Sequence, residues 1–272
     1  GRGYAGGFVA FSSGARDMTE RIGVIGVGHL AAFLVEGLRR ANPNVDIILS
    51  PRNVERSTAL AARFGATVAT DNQVVANAAD VILLTTRPGD AVAVCKGVAF
   101  RPEQIVVSTA ANLPLATLIP AVAPATAVRA MPISCAALNQ SPTLLHPGNT
   151  RARTLFKLLG SVHVLEDEAQ FTPASVIAAL YGWVFALFDE TVAWTVGAGV
   201  PEHIARNLVV ETVRGAADMV LALPEKDMGL MLDALTTPGG ITEYGLDILQ
   251  KEQGLVAWTS ALDAVLTRMK AA

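Results

Sequence analysis

Two glycines, Gly26 and Gly28, close a short β-branched run and open a stretch with helical spacing; Ala31 follows three residues later. This G-x-G-x-x-A pattern suits a pyrophosphate. Gly26 makes the tight turn, Gly28 lets the backbone approach the phosphates, and Ala31 allows close helix–strand packing. The helix start at His29 and Leu30 would offer N–H groups to the phosphate oxygens. Within a strand–turn–helix unit the motif marks a dinucleotide site, whereas standing alone it would be only a glycine-rich turn.

The next β-branched run, Asp46–Ser50, leads into Arg52 and Asn53, with Arg56 one turn on. An NAD site typically carries an acid at this strand's C-terminal end to hold the ribose hydroxyls, and here Asp46 stands at the opposite end. Ser50, Arg52 and Asn53 offer a hydroxyl, a guanidinium and an amide, and arginine pairs with phosphate through a planar fork. NADP is therefore favoured, with NAD the alternative; a solvated surface charge is the plain explanation of Arg52. Thr85, Thr86, Arg87 and Pro88 end a later apolar run, at the sheet edge that would border the cofactor. A simple strand-exit turn competes with that assignment.

These residues need elements to place them. From Arg21 to about Gly160, β-branched runs alternate with helical stretches, which predicts an α/β fold with a doubly wound, Rossmann-type parallel sheet. Expected strands are Arg21–Gly26, Asp46–Ser50, Ala66–Thr70, Asp80–Thr86, Gln104–Thr109, Thr126–Pro132 and Val162–Glu166. After Asp167 only helical spacing remains, over Phe171–Val196, Pro201–Ala222, Asp227–Leu235 and Glu243–Met269. The expected division is a dinucleotide-binding domain over 18–167 and an all-helical dimerisation domain over 168–272. One segment, "LTTPGGITEYG" from Leu235 to Gly245, breaks this helical region with two glycines flanked by threonines.

With 272 residues, 51% hydrophobic and 17% charged, the composition is that of a globular protein. A net charge of −3 offers no basic patch for nucleic acid. Cys95 and Cys135 lack metal spacing and read as small buried apolar residues in a reducing, cytoplasmic setting. The four histidines, His29, His146, His163 and His203, likewise show no metal spacing; His146 and His203 read as surface or loop residues. Residues 1–17 read as an expression remnant or disordered tail. Ala174–Phe188 falls short of the roughly 20 residues that span a bilayer and reads as a buried helix rather than a membrane segment. Apolar almost all round, it needs cover on every side, which predicts an obligate homodimer through the helical domain.

With these pieces placed, the chain from Arg21 onward resembles the pyrroline-5-carboxylate reductase family. The resemblance lies in "IGVIGVGHLAAFLVEGL", "TTRPGDA", "VVSTAANLPLATL", "VRAMP", "GVPEHIARNLVVETVRGAADMVL" and "TTPGGITEYGLDILQKEQG". It implies reduction of a small cyclic imine to proline by hydride from NAD(P)H, as in proline biosynthesis. It also implies that the Pro-Gly-Gly segment joins two helices and faces the substrate carboxylate. Thr237, Gly239, Gly240 and Ile241 then become substrate-binding positions, and Thr242 falls on the threonine whose hydroxyl lies near the imine nitrogen. Unpaired N–H groups at a helix start make such an anion site reasonable. Thr242 followed by Glu243 would equally serve as an N-cap with an acidic first turn.

The chain departs from the family at Ile133, at Ile177–Gly182 and at Ile241, each change removing polarity from the implied substrate side. A reductase retargeted to a less polar imine, or a non-catalytic dinucleotide-binding module, are the alternatives these changes raise. Tyr181 is a candidate proton donor, though core packing explains it as well. A β-hydroxyacid dehydrogenase would need a helical-domain lysine, and no lysine stands between His163 and Glu225.

Overall fold

The computed structural model describes residues 20–271, so the tail assigned to 1–17 lies outside the described residues. The first unit extends through Ser175. Its strands are β1 (Ile22–Ile25), β2 (Ile47–Leu49), β3 (Thr67–Val68), β4 (Val81–Leu84), β5 (Ile105–Ser108), β6 (Thr126–Met131), β7 (Thr143–His146) and β8 (Val162–Val164). Its helices are α1 (His29–Ala41), α2 (Val54–Phe64), α3 (Asn72–Ala78), α4 (Pro88–Cys95), α5 (Leu115–Val122), α6 (Thr150–Lys157) and α7 (Phe171–Ser175). Among the described residues the strands form one sheet in the order β3-β2-β1-β4-β5-β6-β7-β8.

Strands β1 to β6 are parallel, with Ile22 beside both Ile47 and Val81. The order reverses between β1 and β4, and a doubly wound sheet opens its ligand crevice at that point. Period-two alternation divides the strand side chains between two buried layers. Ile22 and Val24 of β1, with Val81 and Leu83 of β4, pack under Leu34 and Leu38 of α1. Ile25, Ile82 and Leu84 face the opposite way, onto Val75, Ala91 and Leu118. Buried on both faces, these strands read as continuous apolar runs.

The parallel sheet expected is present, with one added strand that was not among those expected. β7 runs antiparallel to β6, with Arg129 opposite His146, before β8 returns parallel to β7. Only the short 3-10 turn Ser134–Leu138 and a few loop residues join β6 to β7, too few for a parallel crossover. Asn139 closes that turn at φ 58°, and its buried amide donates to Gly37 O and Leu158 O at 2.8 and 2.6 Å. Gly37 of α1 lies so close to this turn that a Cβ would overlap the Ala136 carbonyl. His146, expected at the surface, is buried on β7, its Nδ1 at 2.8 Å from the Leu165 carbonyl. Cys95 is buried on α4, and desolvation pushes its thiol up to about 11. Cys135 is only half-buried, its S–H directed at Gln140 O at 3.2 Å.

Arg129, 3% exposed, braces the far end of this sheet. Its guanidinium stacks 4.0 Å above the Phe171 ring and donates to Glu168 at 2.8 Å and to Ala111 O at 2.5 Å. Glu168 also accepts the Leu115 N–H at 2.8 Å. Partial desolvation is the largest single influence on Glu168 and raises its pKa. The Leu115 N–H, the Arg129 hydrogen bond and charge, and His146 together outweigh it and hold the carboxyl below its ordinary value.

The second unit starts at Val176. It contains α8 (Ile177–Gly197), α9 (Glu202–Ala222), α10 (Met228–Leu235), α11 (Ile241–Lys251) and α12 (Gly254–Ala271). The single helix expected over Glu243–Met269 is two helices, because Gln253 turns left-handed at φ 56° just before Gly254. The expectation that α8 is buried does not hold within one chain. Phe185 is 56% and Trp194 75% exposed, since the second unit supplies too few neighbours to cover a helix apolar all round. Nor is length an argument against a membrane span: the helical stretch Glu168–Gly197, 30 residues, is long and apolar enough by length and composition to cross one.

Replacing Glu168 by Gln should destabilise the first unit by on the order of 2 kcal/mol near neutral pH, by leaving a buried guanidinium without its counter-charge. Because the folded carboxyl is lowered, its contribution is present above the unfolded pKa, about 4.3, and is lost as pH falls through the folded value. Denaturant melts of wild type and E168Q should therefore diverge above pH 5 and converge in acid. A pH-independent gap would contradict this account.

Candidate dinucleotide site

The β1–α1 turn depends on Gly26, held at φ +96°. A Cβ there would lie 2.6 Å from Thr86 Cγ2 and 2.9 Å from Thr86 N, so space and conformation both exclude a side chain. Gly28 differs: a Cβ would meet nothing within 4 Å, and the room beyond its backbone is open. Gly28 is also the N-cap of α1, with no side chain bonded to the first amides. The start of α1 thus presents N–H groups and positive dipole potential to whatever approaches. Ala31 is fully buried beneath, where helix and strand meet.

Two adjoining cavities, of about 390 and 430 Å³, share Gly28, Thr85, Thr86 and Arg87 and form a trough along the strand ends. Val27, Arg52, Asn53 and Asp90 complete one end. His29, Leu30, Arg56, Pro88, Thr109, Ala110, Ala111 and Met131 complete the other. Every position read from the sequence as cofactor-binding lines this trough except Ser50. That residue is fully buried and faces the turn, where its hydroxyl accepts the Gly26 N–H at 3.0 Å. Its own N–H donates to Val24 O at 2.9 Å, and Ser57 Oγ donates to its carbonyl at 2.8 Å. Ser50 therefore braces the turn instead of touching a ribose.

Thr85 divides its polar groups similarly, its N–H donating to Ile25 O at 2.9 Å and its hydroxyl to Gly26 O at 2.7 Å. Thr86 is the informative residue. Its Oγ1 is buried in the trough wall with no hydrogen-bond partner among the described residues, a costly state that an added ligand would relieve. Asn53 caps α2, accepting the Arg56 N–H at 3.1 Å. Arg52 reaches across the trough to Asp90 at 3.1 Å. An orphaned buried hydroxyl, an uncapped helix start and several guanidinium groups together fit a nicotinamide dinucleotide.

The sequence reading missed Asp90, Thr109, Ala110 and Ala111. Thr109 and the two alanines stand just beyond β5, where the strand-end rule that found Thr85–Pro88 could have found them too. Ile133 does not line the trough; its N–H is taken by Ser141 Oγ at 2.9 Å. Trp183 and Tyr181 belong to the second unit and pack there against Trp258 and Phe185 at centroid distances of 6.2 and 5.1 Å.

The Pro-Gly-Gly segment joins α10 to α11. Gly239 takes φ +73°, and the Gly240 N–H turns back to Thr237 O at 2.8 Å. A Cβ on Gly240 would overlap Thr237 Oγ1, so this position also requires glycine. The N-cap of α11 is Gly240, which places Thr242 inside the first turn and sets aside the capping alternative for its hydroxyl. Glu243 reaches back to accept the Gly239 N–H at 2.7 Å. Of the segment's amides, those of Ile241 and Thr242 have no intrahelical acceptor, being in the first turn.

Comparison with known proteins agrees with this geometry. Residues 21–112 match the family described as NADP oxidoreductase, coenzyme F420-dependent, and residues 168–272 match the one described as pyrroline-5-carboxylate reductase dimerisation. A pyrroline-5-carboxylate reductase of Pseudomonas aeruginosa is 30% identical over 262 residues, covering 92% of this chain and 96% of its own. The Streptococcus pyogenes 1-pyrroline-5-carboxylate reductase structure superposes with a TM-score of 0.82 at 26% identity, over 93% of this chain and 99% of that one. A Plasmodium falciparum pyrroline carboxylate reductase solved with NADP bound shares the fold, with a TM-score of 0.82 at 19% identity, over 93% and 98%. Sheet, glycine turn and trough define an NAD(P)-dependent oxidoreductase. Within that class the chain belongs to the pyrroline-5-carboxylate reductase family.

Gly26→Ala should weaken NADPH binding by about tenfold or more, because it forces Thr86 into the trough. Fluorescence titration of NADPH checks this, with circular dichroism confirming that the variant folds. An unchanged affinity would mean the turn does not face the ligand.

Proposed function

We propose that this protein reduces the C=N bond of pyrroline-5-carboxylate, giving proline, with NADPH as the preferred hydride donor. The observation that carries the reading is the buried, unpartnered Thr86 hydroxyl in a trough opened by the Gly26–Gly28 turn, in a chain of this family. When bound, the nicotinamide supplies the hydride. The chain's own residues supply position and electrostatics, which for an already electrophilic protonated imine account for most of the catalysis. The α1 start and Gly28 hold the pyrophosphate, and Arg52 and Asn53 take the adenosine ribose with its 2′-phosphate. Thr86, Pro88 and the Thr109–Ala111 backbone orient the nicotinamide end.

In this reading the substrate carboxylate is held by the free amides at the start of α11, with Gly240 allowing close approach. The Thr242 hydroxyl, which has no partner among the described residues, serves the imine nitrogen. Thr237 contributes its oxygen to the turn. One feature favours a second reading: Ile241, 94% exposed at the head of α11, presents a large apolar group beside those amides. A bulkier or uncharged cyclic imine would suit it.

The assembly follows from exposed apolar surface. Trp183, Ala186, Leu187, Ala257, Trp258 and Ala261 line an apolar groove of about 430 Å³ in the second unit. Together with Trp194 they form a face that a second copy of this chain would cover, making the protein a homodimer or larger homo-oligomer. Two unpaired cysteines are in keeping with a cytoplasmic location.

NADPH oxidation should be robust with pyrroline-5-carboxylate and slower with NADH, and Thr242→Ala should lower kcat at least about tenfold. Turnover only with uncharged imines would favour the second reading, and unaltered turnover in T242A would remove the role given to that hydroxyl. Light scattering at micromolar concentration should give a dimer or larger; a monomer would overturn the assembly proposed.

A further inference from the structure

Arg52 and Asp90 come from opposite walls of the trough. Arg52 lies in the turn between β2 and α2, and Asp90 in the first turn of α4, 38 residues further along. Their side chains meet at 3.1 Å, and both line the cavity that holds Gly26, Asn53 and Arg87. The pair thus spans the end of the trough assigned to the adenosine ribose.

The two charges act oppositely on the two cofactors. A ribose 2′-phosphate seeking Arg52 must share its guanidinium with Asp90 or displace it, and then remain beside a carboxylate of like sign. A free 2′-hydroxyl carries no charge and can donate a hydrogen bond to that carboxylate, the task an acid at the second strand performs in NAD sites. The geometry points to Asp90 as a specificity-determining residue that restrains the preference for 2′-phosphorylated cofactors, by occupying Arg52 and by direct repulsion. Arg87 on the same wall and Arg56 on α2 are the other charged groups at the trough, and both favour the phosphate. Removing Asp90 therefore leaves an unopposed cationic rim. The inference rests on the proposal that this cavity takes the adenosine ribose at Arg52.

A simpler role exists for Asp90, as an acid complementing the α4 dipole at its N-terminus. That role is indifferent to the 2′ substituent, which makes the two separable. Calorimetric titration of wild type, Asp90→Asn and Arg52→Ala with 2′,5′-ADP and with 5′-AMP isolates the 2′-phosphate without any turnover. D90N should bind 2′,5′-ADP roughly two- to fivefold more tightly than wild type, with 5′-AMP unchanged or weaker, since partly exposed charge pairs have effects of this size. The gain should fade at 1 M salt, where the Debye length is about 3 Å. Equal effects on both nucleotides, or none, would overturn the inference while leaving the NADP reading intact. Should wild type itself bind the two nucleotides equally and R52A change nothing, the cofactor reading fails and this inference with it.

Discussion

The left-handed backbone at Gly26 is the constraint on which the cleft depends. Because no side chain intrudes there, the β1–α1 turn lies directly against Thr86 at the end of β4. That contact closes a ring of short polar links. The Gly26 N–H goes to Ser50, the Gly26 carbonyl accepts from Thr85, and the Ser50 N–H returns to Val24. Three adjacent strands therefore end in one hydrogen-bonded rim. The trough takes its shape from this rim, and Thr86 is left with a hydroxyl that the rim cannot satisfy.

Much of this was legible from residue order because the strands that matter are sandwiched. β1, β4 and β5 are buried on both faces and therefore appear as unbroken apolar runs, followed immediately by the residues that border the trough. β7 was not legible. Its Leu144 and Leu145 stand between Pro142 and Pro147, and its pairing with β6 is a tertiary matter set by the Ser134–Leu138 turn. Ser50 was placed in the wrong role for a related reason: at a strand end the direction of a side chain follows from register, which spacing alone does not supply. Asp90 could not have been paired with Arg52 at all, because only the sheet order brings α4 beside the β2 exit. The break at Gln253 escaped notice because glutamine rarely turns left-handed; Gly254 after it was the available signal.

The second unit follows a different logic. In the first, apolar residues are covered by the chain's own layers; in the second, α8 and α12 turn Trp183 and Trp258 toward each other yet leave a groove between them. Hydrophobic pattern there describes a surface waiting for cover as much as an interior. Polar detail concentrates instead at the α10–α11 junction, where Glu243 and Thr237 each satisfy one glycine amide and thereby restrict which amides remain for an anion.

Ser50 carries a consequence for how such a protein could change its redox currency over evolutionary time. An NAD site typically carries an acid at the residue closing the second strand. Here that residue's oxygen is already committed to the glycine turn, and its side chain is sealed from solvent. A larger acid at that position would unseat the glycine turn, so that substitution is closed to this chain. Lineages sharing this arrangement would have to drift through the exposed rim, where charges can be exchanged without disturbing the rest of the binding edge.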